Sequence, residues 1–113
     1  MEDCVFCKIV NKEIPSQVVY EDDKVMVFKD LEPQAPIHYL IIPRQHFNSI
    51  MNVPAGNDIV QHIFMIAVKM AVKEGVGDEG FRVVNNCGEL GGQTVNHLHF
   101  HFLAGREMKW PPG

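Results

Sequence analysis

The chain has 113 residues, 46% of them hydrophobic and 21% charged, and a formal net charge of −4 with histidine counted neutral. That length predicts one domain, 1–113, with its own core, and an acidic balance without a Lys/Arg run argues against an electrostatic nucleic-acid surface. No apolar stretch approaches the ~20 residues of a membrane span, the acidic opening Met1-Glu2-Asp3 predicts no export signal, and an odd number of cysteines predicts free thiols in a reducing cytoplasm.

In chain order, residues 4–11 read as a short helix that Pro15 cannot continue. Val18 to Tyr20 and Val25 to Lys29 read as strands joined by the polar turn Glu21-Asp22-Asp23-Lys24. Pro33 and Pro36 mark a loop, and His38 to Ile42 is a strand closed by Pro43. Asp58 to Glu74 is the one long helix, with Ile59, Ile63, Ile66 and Met70 as a stripe, Val60, Phe64, Ala67 and Ala71 beside it, and Gly75 and Gly77 at its end. Its Met and aromatic positions are expected in the core and His62 in solvent. Phe81 to Asn85 is a strand, residues 88–94 a glycine-rich loop, and His97 to Leu103 the last strand. Strands in short succession with one principal helix predict an α+β domain with an antiparallel sheet. The tail 105–113 carries the chain's single Trp, Trp110, on a Pro-rich segment that needs a surface to cover, its own body or a partner subunit.

The most informative run is Asn96-His97-Leu98-His99-Phe100-His101-Phe102-Leu103. On a strand its three imidazoles would share one face while Leu98, Phe100 and Phe102 anchor the other. A neutral imidazole attacks phosphorus without a separate base, and a second one can protonate the leaving group and then deprotonate water. Two histidines therefore suffice for double-displacement phosphoryl or nucleotidyl transfer. The alternative, three histidines on a catalytic metal, is also open, because His-x-His strands serve such sites. The loop Gly88-Glu89-Leu90-Gly91-Gly92-Gln93-Thr94 feeds into this run, and its amides and Thr94 can converge on one anion, although it lacks the Gly-Lys-Ser/Thr of a P-loop. Cys4 and Cys7 form a Cys-x-x-Cys pair with no strand before it, which disfavours redox catalysis and leaves half of a zinc site or two buried thiols. His46 and one of the three histidines could complete such a site.

These residues resemble the histidine triad superfamily, and its Hint branch in particular. The likeness runs from Cys4-Val5-Phe6-Cys7-Lys8-Ile9 through Ile14-Pro15-Ser16, Pro33-Gln34-Ala35-Pro36-Ile37-His38 and Ile41-Ile42-Pro43 to Gly91-Gly92-Gln93-Thr94-Val95-Asn96-His97-Leu98-His99-Phe100-His101 and Trp110-Pro111-Pro112-Gly113. The resemblance implies a five-stranded antiparallel sheet with one long and one short helix, paired into a homodimer with a ten-stranded sheet. It implies a purine nucleoside phosphoramidase that cleaves the P–N bond of an AMP-amine or AMP-lysine conjugate without a catalytic cofactor. His99 would be the nucleophile, His101 would serve phosphate and leaving amine, and His38 would continue the same row. Asp30 would hold the ribose, with Phe6, Ile9, Phe28, Leu31 and Leu40 around the purine. Asn86, Gly92, Gln93 and Thr94 would face the phosphate, and Trp110 would approach the neighbouring subunit's site. Zinc-binding members imply a structural zinc on Cys4, Cys7, His46 and His97. Thr94 stands where Ser is common, and Glu32 where a small hydroxyl residue is common. A dinucleoside polyphosphate hydrolase or nucleotidyl transferase, and a nucleotide-sensing module with vestigial catalysis, are the competing readings.

Overall fold

Sulfur caps the first helix: Cys7 N–H donates to Cys4 Sγ at 3.2 Å, and α1 (Val5–Val10) ends one turn later at Asn11. The computed structural model describes residues 3–113. After α1 come β1 (Val18–Glu21), β2 (Val25–Lys29), β3 (Ile37–Pro43), a 3-10 turn (Ile50–Asn52), α2 (Ile59–Glu74), β4 (Phe81–Asn85) and β5 (Phe100–Ala104). The β1–β2 turn is built by Asp22, whose Oδ1 accepts from Lys24 N–H and Val25 N–H, both at 2.8 Å. Gly75 ends α2 with φ +70°, and Val76 N–H returns to Ala71 O at 3.0 Å, so glycine stands where a Cβ would be strained.

The sheet has five antiparallel strands in the order β1-β2-β3-β5-β4. Alternation along the strands sends side chains to two different layers. Val25, Val27, Tyr39, Ile41, Phe100 and Phe102 pack with Ile63, Ile66 and Met70 of α2. Met26, Phe28, Leu40 and Ile42 face the other way and pack with Cys4, Phe6 and Ile9 of α1. The central strands are thus covered on both faces, and His38 and His101 fall on the α1 side, in step with Leu40.

Three expectations are corrected. The last strand begins at Phe100, not at His97: Leu98 N–H donates to Phe47 O (2.7 Å) and the His99 carbonyl accepts from Asn85 Nδ2 (3.0 Å), so neither joins the ladder. His97, Leu98 and His99 are all buried, and the three histidines form no row on one strand face. On α2, Met70 is in the core, but Phe64 and Met65 are 47% and 60% exposed, because one layer contacts only one face of a helix. His62 does not face solvent alone, since its Nε2 lies 2.9 Å from Asp22 Oδ2 and ties α2 to the β1–β2 turn.

Candidate active site and metal centre

The irregular entry to β5 splits the three histidines between two jobs. His97 turns toward α1. Its Nε2–H donates to Pro43 O at 2.9 Å, which leaves Nδ1 as a lone pair 3.2 Å from Cys4 Sγ, 3.5 Å from Cys7 Sγ and 3.1 Å from His46 Nδ1. His46 is oriented in the same way, with Nε2–H on Asn48 Oδ1 at 2.7 Å and Nδ1 pointing inward, 3.3 Å from Cys7 Sγ. The ligand atoms of Cys4, Cys7, His46 and His97 all lie within 4.8 Å of one another. Tetrahedral bonds of about 2.0–2.3 Å have edges of roughly 3.3–3.8 Å, close to the spacings found here. Burial holds His97 down to about 4 and therefore neutral, as a ligand must be. Burial, and then Cys4 beside it, pushes the Cys7 thiol up, so two thiolates here call for a cation between them. The four residues fit a divalent ion, and the carbonyl and amide behind the imidazoles are the outer partners such sites use.

His99 and His101 serve the second job. His99 Nδ1 lies 2.7 Å from the carbonyl of His97, which can only accept, so Nδ1 carries the proton and Nε2 presents its lone pair. His99 is 4% exposed, edge-on to Phe6 (ring centroids 5.1 Å apart) and to His101 (5.4 Å). No hydrogen bond of the described residues engages His99 Nε2, and among them no buried side-chain nitrogen or oxygen lacks a partner, which puts Nε2 at the residue's narrow open edge. On β3, His38 Nδ1 accepts from Gln34 N–H at 3.0 Å, so its proton sits on Nε2 and is donated to His101 Nδ1 at 2.9 Å. Neutral His101 therefore carries Nε2–H. Burial, then the neighbouring His99 and His38, pushes His101 down to about 4, and burial lowers His38 as well. Asp30 Oδ2 closes the row 3.5 Å from His38 Nε2.

The row opens into a cavity of about 490 Å³, within the usual range for a small-ligand site. Its walls include Phe6, Ile9, Phe28 and Leu40, with Asp30, His38, His101 and Thr94 as polar groups. Leu31 lies at its rim, 94% exposed. His99 does not line the cavity itself but stands behind Phe6 and His101, which do. Asn86, Gly92 and Gln93 are not on its walls. The Gln93 amide is spent on the loop, with Oε1 accepting from Gly88 N–H (3.0 Å) and Nε2 donating to Asn48 O (2.7 Å) and Val95 O (3.0 Å). Asn86 Nδ2 donates to Gly91 O at 2.8 Å. Trp110 is 84% exposed and away from this chain's own cavity. Sequence reasoning missed Gln34, Asn48, Pro43 and Asn85, because three of them act through backbone groups or local amide contacts that leave no signature in residue type.

The HIT domain profile matches residues 11–108, which include the three histidines but not Cys4 and Cys7. The chain is 47% identical over 114 residues to the 14 kDa zinc-binding protein of Brassica juncea, with 98% of this chain and 100% of that one covered. It superposes on the crystal structure of a HIT family hydrolase from Legionella pneumophila with a TM-score of 0.95 at 46% identity, covering 98% of this chain and 100% of that one. It is also similar to the histidine triad nucleotide-binding protein of Candida albicans, with a TM-score of 0.84, 32% identity, and coverage of 96% of this chain and 83% of that one. With this fold, this histidine arrangement and this match over nearly its whole length, the chain belongs to the HIT family of histidine triad proteins.

Proposed function

We propose that the protein is a purine nucleotide-binding hydrolase of the Hint type, which cleaves the P–N bond of nucleoside phosphoramidates through a nucleotidyl-histidine intermediate. The observation that carries this reading is the assigned tautomer of His99, whose Nδ1–H is held by the His97 carbonyl at 2.7 Å while Nε2 keeps its lone pair. In the first step His99 Nε2 bonds to phosphorus and the P–N bond breaks. A proton taken up with the anionic substrate makes His101 an imidazolium, which gives its Nε2 proton to the departing amine and returns to neutral imidazole, with His38 Nε2 held against its other ring nitrogen. In the second step His101 takes a proton from water, the oxygen bonds to phosphorus, and His99 leaves as neutral imidazole.

Asp30 suits the ribose hydroxyls, and Phe6, Ile9, Phe28, Leu31 and Leu40 suit a purine ring. Thr94, which lines the cavity, would border the phosphate, with Asn86, Gly92 and Gln93 building the loop behind it. The Candida albicans nucleotide-binding protein and the Legionella hydrolase support a nucleotide ligand and hydrolysis. The zinc-binding relative supports zinc on Cys4, Cys7, His46 and His97, where it would be structural and tie α1 to the sheet. That role agrees with a reducing compartment. Among the described residues, no helix is long and apolar enough to cross a membrane.

The same reading includes a homodimer. The edge of β4 is unpaired, and α2 beside it exposes Phe64, Met65, Val68 and Val72. Phe64 reaches Phe100, whose ladder neighbour is Asn85 of β4, so the apolar face adjoins the open edge. Pairing β4 with its copy about a two-fold axis would extend the sheet to ten strands and bury that face, with Trp110 of each tail brought toward the neighbouring cavity.

The direct test is His99→Ala. Release of amine from an AMP-amine conjugate should vanish while AMP binding remains measurable, and acid-quenched native enzyme should carry one nucleotide on His99 by mass spectrometry. Full turnover in the variant would remove the hydrolase reading. Faster cleavage of a diadenosine polyphosphate than of the AMP-amine would replace the substrate class.

A further inference from the structure

The loop 31–36 joins β2 to β3, contributes Leu31, Glu32 and Gln34 to the cavity wall and leads into His38. Most of its hydrogen bonds are local. Asp30 Oδ1 accepts from Glu32 N–H at 2.8 Å, the Gln34 side-chain amide donates to Glu32 O at 2.9 Å, and Gln34 N–H donates to His38 Nδ1 at 3.0 Å. Among the described residues, one hydrogen bond reaches the loop from beyond residues 30–38. It comes from Arg106, at the root of the tail, which donates Nε–H to Gln34 O at 2.9 Å and Nη1–H to Glu107 O at 2.9 Å. The guanidinium has no carboxylate partner among the described residues, so its charge is spent on two carbonyls. The residue before it closes the same contact. Gly105 has φ +96°, and a Cβ there would stand 2.9 Å from Pro36 Cβ, a position that glycine alone leaves free.

We propose that Arg106 is a positioning residue for the histidine row, acting through Gln34 on His38. The proposal rests on the hydrolase reading above and adds to it a residue that is not on the cavity wall. The chain of contacts is short. Arg106 holds the carbonyl of Gln34, the N–H of that same residue makes His38 Nδ1 an acceptor, and His38 Nε2 then faces His101 Nδ1 at 2.9 Å. A backbone amide selects a tautomer only while the backbone stays in place, because a hydrogen bond weakens steeply as its angle closes. Pro33 and Pro36 restrict φ on either side of Gln34 but donate nothing, which leaves the guanidinium as the outside anchor. Its charge makes that anchor roughly twice as strong as a neutral hydrogen bond. Without it the Gln34 amide drifts from His38, the imidazole exchanges tautomers, and the nitrogen that faces His101 is no longer fixed. Asp30 is held separately, by its own N–H on His38 O at 3.0 Å, so nucleotide binding is spared while the chemical step suffers.

The test compares Arg106→Met, which keeps the length of the side chain and loses its donors, with Arg106→Lys, which keeps a cationic donor, each in the whole chain. Ring-nitrogen NMR spectra of the resting protein, assigned with His38→Asn, read the tautomer of each histidine directly. The native protein should show His38 protonated on Nε2 and bare on Nδ1. In Arg106→Met the His38 signals should move toward tautomer exchange, whereas those of His99, held by the His97 carbonyl, stay in place. On an AMP-alkylamine conjugate kcat should fall about tenfold, equivalent to about 1.4 kcal/mol, with KM changed less than about twofold. Arg106→Lys should recover most of kcat and the native His38 signals. Gly105→Ala, which pushes the tail away from Pro36, should give the signature of Arg106→Met by an independent route. Three results would overturn the proposal and leave the hydrolase reading intact: native His38 signals and kcat in Arg106→Met, His38 and His99 signals that move together, or a Lys variant no better than the Met variant. If the native protein releases no amine, the hydrolase reading falls, and the His38 signals by themselves decide whether Arg106 positions the ring.

Discussion

His101 and His99 are imidazoles of the same chemistry, set in different tautomers by one hydrogen bond each. A carbonyl behind His99 forces its proton onto Nδ1, whereas an imidazole N–H behind His101 forces its proton onto Nε2. In the proposed reaction the first is the lone-pair donor to phosphorus and the second the acid. If that division holds, His101→Ala lowers the hydrolysis rate of an alkylamine conjugate by about 10²–10⁴-fold, but much less for a conjugate whose leaving group departs without a proton, such as a nitrophenolate ester. Equal losses on both substrates would show that His101 only positions the phosphate. At this scale the sequence was legible in residue type and opaque in tautomer. His38 and His101 could be named from their pattern, but the atoms that orient them belong to Gln34 N–H, His97 O and Pro43 O, and every residue carries such groups.

At the scale of the element, α1 matters more than its six residues suggest. It brings Cys4 and Cys7 to the cluster with His46 and His97 on one side and Phe6 and Ile9 to the histidine cavity on the other. Phe6 packs edge-on against both His97 and His99, so whatever anchors the helix also sets the wall in front of the proposed nucleophile. Cys4→Ser should therefore eliminate bound metal, lower the melting temperature by roughly 5–10 °C, corresponding to about 2 kcal/mol, and weaken AMP binding together with it. Unchanged zinc content in the purified variant would refute the ligand set. The final strand is where element-level reading went wrong. Alternating His and apolar residues make a strand pattern from His97 onward, yet the ladder starts only at Phe100, because the Leu98 amide is taken by Phe47 and the His99 carbonyl by Asn85. Periodicity reports which conformation suits a segment, and competing partners elsewhere in the fold decide whether it forms.

For the whole molecule, two surfaces and two titration windows follow. The exposed apolar face of α2 beside the free β4 edge predicts a dimer in solution, and Val68→Glu, which puts a charge within it, should give a monomer by light scattering. A monomeric native protein would exclude the interface. Stability should decline with acid in two steps. His101 titrates near 4 in the fold against 6.5 when unfolded, so the unfolded chain binds more protons between those values and stability, complete above pH 6.5, is lost as pH falls toward 4. Burial pushes Asp22 up, but hydrogen bonds from Lys24 N–H, His62, Val25 N–H and Tyr20 outweigh it and bring it from 3.8 to about 2, so its contribution holds above pH 3.8 and is lost from there down to pH 2. Melting temperature followed against pH should show both declines, with His101→Asn reducing the upper one, to which His97 contributes over the same range, and Asp22→Asn removing the lower; a level profile from pH 6.5 to 4 would contradict the first. Residue order alone determined the α+β class, the strands, the long helix with its Gly75 stop, and the chemistry available to three closely spaced histidines, because those depend on local periodicity and side-chain type. The family resemblance implied the grouping of His97 with Cys4, Cys7 and His46 and of His99 and His101 with His38, but residue type and periodicity could not; only the tertiary structure brings each group together, because contacts between residues more than fifty positions apart, such as Cys4 with His97 and His38 with His101, compete for each imidazole and leave no trace in local sequence.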